Sequence, residues 1–141
     1  MNLPDVNVWV SLALQNHPHS IATQQWLQEL SPRDQILFCR QSQLGLLRLL
    51  TTRTIPGGPA LTQTEAWLVY EGFLSDLRVS FLDEPAGLPA SFRSISDRDE
   101  ASPKRWADDY LSAFAQTANL TLVTFDKALA ARTPGSLLLK S

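Results

Sequence analysis

The chain has 141 residues, is 44% apolar and 18% charged, and carries a net charge of −2, which suits one globular domain spanning residues 1–141 and excludes a disordered chain. One cysteine, Cys39, excludes a disulfide framework and a multi-cysteine zinc site, and suits a reducing cytoplasm. No apolar run approaches the roughly 20 residues of a membrane helix. Met1 to Asp5 has no basic flank before an apolar core, so no export signal is read. The net charge counts against a nucleic-acid binder, but its distribution is uneven. Residues 33–64 hold Arg33, Arg40, Arg48 and Arg53 against one acid, Asp34, while residues 65–100 hold eight acids against three arginines. Either a phosphate-contacting patch or an unevenly charged solvated surface accounts for this.

The elements follow in chain order. Leu3 to Asp5 is a strand running into the apolar helix Val6–Leu14, and Ser20 to Leu30 is a second helix with Ile21, Trp26, Leu27 and Leu30 at helical spacing. Ile36 to Cys39 reads as a buried strand. Ser42 then offers an N-cap for a leucine-rich helix through Thr52. Ile55-Pro56-Gly57-Gly58-Pro59 is a breaker, and Thr62 to Glu65 is a capping box opening a helix with Trp67, Leu68, Tyr70 and Leu74. Val79 to Leu82 is a strand, and Ser102-Pro103 approaches a helix ending near Asn119. Leu120 to Thr124 is the clearest strand, and Ser136 to Leu139 the last.

Strands alternating with helices predict a three-layer α/β/α domain on a parallel sheet, whose ligand site lies outside the carboxyl ends of the strands. Asp5 closes the first strand, Asp126 follows Thr124 by two residues, and Asp108 sits near the start of the helix carrying Leu111, Phe114 and Ala115. Each has an ordinary alternative: Asp5 and Asp126 can cap the helices that follow them, and Asp108 and Asp109 suit a first helical turn. Together at one edge, however, three carboxylates raise one another's pKa and call for a hard divalent cation. Mg²⁺ or Mn²⁺ held so can activate a water and clamp a phosphate, which is phosphodiester hydrolysis without a covalent enzyme intermediate.

Four segments resemble one family. Asp5-Val6-Asn7-Val8-Trp9-Val10 is similar to the opening strand and helix of VapC-type PIN domains. Trp106-Ala107-Asp108-Asp109-Tyr110-Leu111-Ser112-Ala113-Phe114-Ala115 resembles their "W-x-D-A-Y-L-A-A-x-A" helix. Leu122-Val123-Thr124-Phe125-Asp126-Lys127 resembles their "L-V-T-F-D-R" strand end, and Ser42 to Thr51 the third-helix segment of one subgroup. The resemblance implies a Rossmann-like PIN fold, magnesium-dependent endoribonuclease activity, an RNA substrate, neutralisation by a VapB-type antitoxin, and a homodimer. It implies Asp5 and Asp108 as principal metal ligands, Asp126 as an additional acid, Thr124 as a supporting polar residue, and Asn7 as a recurrent neighbour of the first aspartate.

One departure stands out. Where many PIN nucleases carry the glutamate of an "E-x-x-R" pattern, the position three before Arg48 is Gly45, and no acid lies between Asp34 and Glu65. At most three of four carboxylates remain. Gln43 can hold a metal-bound water through its amide oxygen, and Arg48 either touches phosphate or pairs with an acid. An inactive or weakened module that keeps the fold and an antitoxin groove is therefore the alternative reading. His17-Pro18-His19 shapes a loop rather than binding metal, for want of a third soft or imidazole ligand. Trp9, Trp26, Trp67 and Trp106 are read as core or dimer surface. Asn7 argues against a doubly wound phosphatase, which wants a second aspartate there, and the lone Asp5 argues against a receiver domain. The leucines Leu44, Leu46, Leu47, Leu49 and Leu50 surround most of their helix, so a second buried face is expected, against a protomer, a partner helix or the chain itself.

Overall fold

The computed structural model describes residues 1–52 and 59–140; most of the breaker segment, and Arg53, lie outside the described residues. The strands β1 (Asn2–Pro4), β2 (Ile36–Phe38), β3 (Val79–Phe81), β4 (Thr121–Thr124) and β5 (Leu137–Leu138) form one sheet in the order β3-β2-β1-β4-β5, each pair parallel. Period-two alternation sorts their side chains. Ile36, Phe38 and Val123 enter one core, and Leu3, Leu37 and Leu122 the other. Helices α1 (Val6–Ala13), α2 (Ser20–Glu29), α3 (Arg40–Leu50) and α4 (Gln63–Leu74) close the first core with Val8, Trp9, Trp26, Leu46, Leu50 and Tyr70. Helices α5 (Leu88–Ser96), α6 (Trp106–Ala118) and α7 (Lys127–Arg132) close the second with Leu88, Leu111, Phe114 and Leu129. The expected α/β/α layering is therefore present. Among the described residues no helix is long and apolar enough to cross a membrane.

Trp9 anchors the first core by stacking on Phe38 with ring centroids 3.7 Å apart. Pro4 shapes the sheet centre. Asn2 N–H donates to Gln35 beside β2, and Asp5 N–H donates to Val123 of β4. By the alternation of a parallel strand, residue 4 would donate toward β2, and proline cannot. Registered pairing with β2 is accordingly confined to Asn2 and Ile36, whereas β4 pairs with all three residues of β1.

Several local expectations change. Helix α3 opens at Arg40, one turn before the expected start, with Cys39 as its N-cap; Ser42 is its third residue, and Ser42 Oγ accepts from Cys39 N–H at 3.0 Å, the reciprocal arm of a capping box. Helix α5 was not expected, though Leu88, Phe92 and Ile95 carry an i, i+4, i+7 stripe and Pro89 pre-sets the first turn. Gly87 sits at its N-cap at φ 87°, a left-handed conformation that favours glycine. Trp67 and Trp106 are 45% and 59% exposed, so only Trp9 and Trp26 are core. On α3, Leu46 and Leu50 are buried, Leu47 and Leu49 pack on the same core, and Leu44 alone stays open at 57%. The chain itself thus covers most of that helix.

Among the described residues, the arginines of the arginine-rich stretch do not form one patch. Arg33 precedes β2 at the amino edge of the sheet, and Arg40 follows β2 at the carboxyl edge, its guanidinium 4.7 Å above the Phe81 ring. Arg48 lies eight residues further along α3, about 12 Å of helix away.

Candidate active site

The chain builds outward from β1 to β2 and β3 on one side, then to β4 and β5 on the other, so the switch of direction falls between β1 and β4. Loops at the carboxyl ends of these two strands diverge to opposite faces and leave a crevice there. Asp5 follows β1, and Asp126 lies just past β4.

Asp5 occupies the N-cap position of α1, yet its carboxylate makes no capping hydrogen bond. Instead Asp5 Oδ2 accepts from Thr124 Oγ1 at 2.8 Å. Thr124 is fully buried, and the same Oγ1 accepts from Asp126 N–H at 3.0 Å, so one hydroxyl ties both acidic positions together. Burial pushes the Asp5 carboxyl above the ordinary range; the Thr124 hydroxyl and the nearby amides of Val6 and Asn7 pull it down, and the charge of Asp126 raises it again. Asn7 is exposed in the first turn of α1, with its backbone amide beside Asp5.

Asp108 stands in the first turn of α6. It too is held above the ordinary range, first by burial and then by the charges of Asp5 and Asp126, with Arg132 opposing. Asp126 is exposed and caps α7: its Oδ1 accepts from Ala128 N–H at 2.9 Å and from Leu129 N–H at 3.1 Å. The capping alternative thus holds for one oxygen of Asp126 and fails for Asp5. The structure brings Asp5, Asp108 and Asp126 into mutual electrostatic reach. Among the described residues, no three acidic, histidine or cysteine side chains close into a cluster able to hold a metal ion as placed. The donor chemistry nonetheless suits a hard cation, since all three donors are carboxylates and two of them are destabilised in the ionised form.

The supporting residues divide. Gln43 is buried; its Oε1 accepts from Arg40 at 2.6 Å, and it hydrogen-bonds Tyr70, so its amide is already engaged. Arg48 lines a groove between α3 and α4 with Leu44, Leu47, Thr51, Gln63 and Trp67, away from the acids. Gly45 explains its own lack of a side chain. A Cβ built there would lie 2.5 Å from a γ-methyl of Val6, the residue after Asp5. Helix α3 can rest on α1 only because residue 45 is glycine.

Gly45→Ala should therefore destabilise the fold. The gain of about 1 kcal/mol from better helix propensity is outweighed by overpacking, which costs about 1–3 kcal/mol. Urea unfolding checks the sign, and a more stable variant would show that Val6 yields freely.

The sequence reading missed the role of Asp109. Its carboxylate is 0% exposed and takes a bidentate grip from Arg98, NH1 to Oδ2 at 2.8 Å and NH2 to Oδ1 at 3.0 Å, with Arg132 NH1 on Oδ1 at 2.8 Å. Burial alone would raise its pKa, but the two guanidiniums outweigh it and hold the group below the usual range. Asp108 and Asp109 are neighbours with opposite electrostatics, one repelled and one doubly paired. The clamp joins α6 to α7 and to the end of α5, and it fixes the helix that presents Asp108.

A family model for the PIN domain matches residues 3–134. The chain belongs to the PIN domain family. Its relatives include Ribonuclease VapC41 of Mycobacterium tuberculosis, 46% identical over 91% of this chain and 90% of that protein. Among solved structures, this PIN domain is similar to VapBC2 from Rickettsia felis, described as bound to a DNA fragment from their promoter, with a TM-score of 0.70, 16% identity and coverage of 99% and 98%. It is also similar to Mycobacterium tuberculosis VapC20, described as a sarcin-ricin loop cleaving toxin, with a TM-score of 0.68, 14% identity and coverage of 93% and 94%. These likenesses carry the PIN fold.

Proposed function

We propose that this PIN domain is a divalent-metal-dependent endoribonuclease and the toxin half of a cytoplasmic toxin–antitoxin pair, forming a homodimer and silenced by a VapB-type antitoxin. The observation that supports the activity is that Asp5 after β1 and Asp126 past β4 flank the switch between these strands and are tied through Thr124 Oγ1, with Asp108 of α6 raised by the charge of both. The likeness to Ribonuclease VapC41 supports RNA as the substrate.

Asp5 and Asp108 would hold Mg²⁺ or Mn²⁺, with the free oxygen of Asp126 contributing directly or through water, as suits an ion that keeps several waters. The bound cation supplies charge against the scissile phosphate and lowers the pKa of the attacking water. This chain's own residues set the geometry. Thr124 Oγ1 donates to Asp5 Oδ2 and holds the carboxylate that would bind the cation, while its acceptance from Asp126 N–H fixes the loop carrying the third acid. Water adds to phosphorus and gives its proton to an ionised carboxylate or to solvent, while the bond to the leaving ribose oxygen breaks and that oxygen takes up a proton from solvent.

A second reading, a weakened PIN-fold module that keeps antitoxin binding, rests on Gly45, where the Val6 methyl leaves no room for a fourth acid. One experiment separates the two. Protein stripped with EDTA should leave a labelled stem-loop RNA intact, cleave it on addition of Mn²⁺ or Mg²⁺, and arrest growth when expressed without antitoxin. No cleavage at any metal concentration, with antitoxin binding retained, would establish the second reading.

A further inference from the structure

Beside the acids lies a cavity that the proposed chemistry does not use. It is lined by His19, Phe125, Lys127, Leu138, Leu139 and Lys140. Phe125 and Lys127 flank Asp126 in sequence, Leu139 and Lys140 follow β5 directly, and Leu139 N–H donates to Thr124 O at 2.8 Å. The cavity therefore opens at the carboxyl ends of β4 and β5, next to the proposed metal site. Its floor is aromatic and aliphatic: the His19 and Phe125 rings stack with centroids 3.9 Å apart and planes 14° from parallel. Its rim carries Lys127 and Lys140, both exposed, and its described lining includes no Asp or Glu side chain. On a chain of net charge −2, two lysines over an aromatic floor form a localised cationic site.

We infer that this cavity takes a nucleotide of the RNA strand that flanks the scissile phosphodiester, its phosphate between Lys127 and Lys140 and its base against Phe125, His19 and Leu139. The pairing of lysine charge with an aromatic wall is what binding of single-stranded nucleic acid requires. Lysines neutralise the backbone, and a ring surface accepts any base by stacking. An acidic peptide would match the lysines but gains little from the stacked rings. The inference rests on the nuclease reading and adds to it the route by which substrate approaches Asp126.

The test uses the full chain in EDTA with a fluorescein-labelled single-stranded RNA, read by anisotropy from low to high salt. Each phosphate contact contributes about 0.7 to the slope of log affinity against log salt for a single strand. The double variant Lys127→Gln/Lys140→Gln should lower the slope by about 0.7, the loss of one phosphate contact, each single variant should lower it by part of that, and arginine at either position should keep it. His19→Ala should weaken binding on the order of tenfold with the slope unchanged, since stacking carries no counterion release. Unchanged slopes in both lysine variants, while metal-dependent cleavage persists, would overturn the cavity and leave the nuclease reading standing. Wild-type protein that neither binds nor cuts RNA would overturn both. An oligoglutamate peptide that binds with lysine dependence, where RNA binds without it, would assign the cavity to a protein segment and overturn the inference.

Discussion

Asp5→Asn and Asp108→Asn should each abolish RNA cleavage and, at the same time, raise the thermal stability of the metal-free protein. Asparagine keeps the shape of the side chain and can still accept from Thr124 Oγ1, but it cannot supply the charge that holds a cation. Loss of an outer-shell partner already costs metal sites about 10–100-fold, so loss of a direct ligand should exceed ~100-fold. The stability gain follows from the direction of the pKa shifts. Both carboxyls titrate above their unfolded values, so the fold is favoured by their protonated forms, and that stability is lost as pH rises through the raised values. At neutral pH the ionised pair works against folding, and an uncharged amide removes the penalty. For the same reason, affinity for Mn²⁺ should fall with decreasing pH from a point above the ordinary carboxylate range. Calorimetry of both variants, with and without metal, checks each arm. A variant that loses activity and also unfolds earlier without metal would show that the acids are structural.

The second large effect concerns the clamp on Asp109. Replacing Arg98 and Arg132 together with alanine leaves a fully buried carboxylate with no counter-charge, and breaking such a pairing costs about 3–5 kcal/mol. Either replacement alone should cost less, because the remaining guanidinium still neutralises the group. The pH dependence should reverse. In the native chain Asp109 titrates below its unfolded value, so its stabilisation is present above the unfolded pKa and lost as pH falls through the lowered one. In the double variant burial acts unopposed and raises the pKa, so this site's contribution improves on acidification. Urea unfolding across the acid range measures both. A double variant within 1 kcal/mol of the native chain would mean that water reaches Asp109 and the clamp is decorative.

The sequence made the architecture legible where the chain repeats simple patterns. Apolar runs of four or five residues marked β2 and β4, and the acids immediately after β1 and β4 had to fall at the carboxyl edge once the sheet was parallel. Helix α5 escaped because its stripe of Leu88, Phe92 and Ile95 is diluted by Ser91, Arg93, Ser94 and Ser96, so only the spacing reveals it. What the pattern could not give was pairing across the fold. Arg98 and Arg132 lie 11 residues before and 23 after Asp109, and nothing local marks them as partners. The arginine-rich stretch left its two readings open for the complementary reason: residues close in sequence are carried to opposite ends of the sheet by one strand and one helix.

The contact of Gly45 with Val6 also bears on redesign. Restoring the absent fourth acid is not a single step, because Gly45→Glu drives its Cβ into a side chain whose backbone adjoins Asp5. Val6 would have to shrink first, and until residue 45 changes, that shrinkage only leaves a void between α1 and α3. Each change is costly without the other. Residues 6 and 45 are therefore coupled by epistasis: the two substitutions that would admit a fourth acid are each unfavourable alone and tolerable only together.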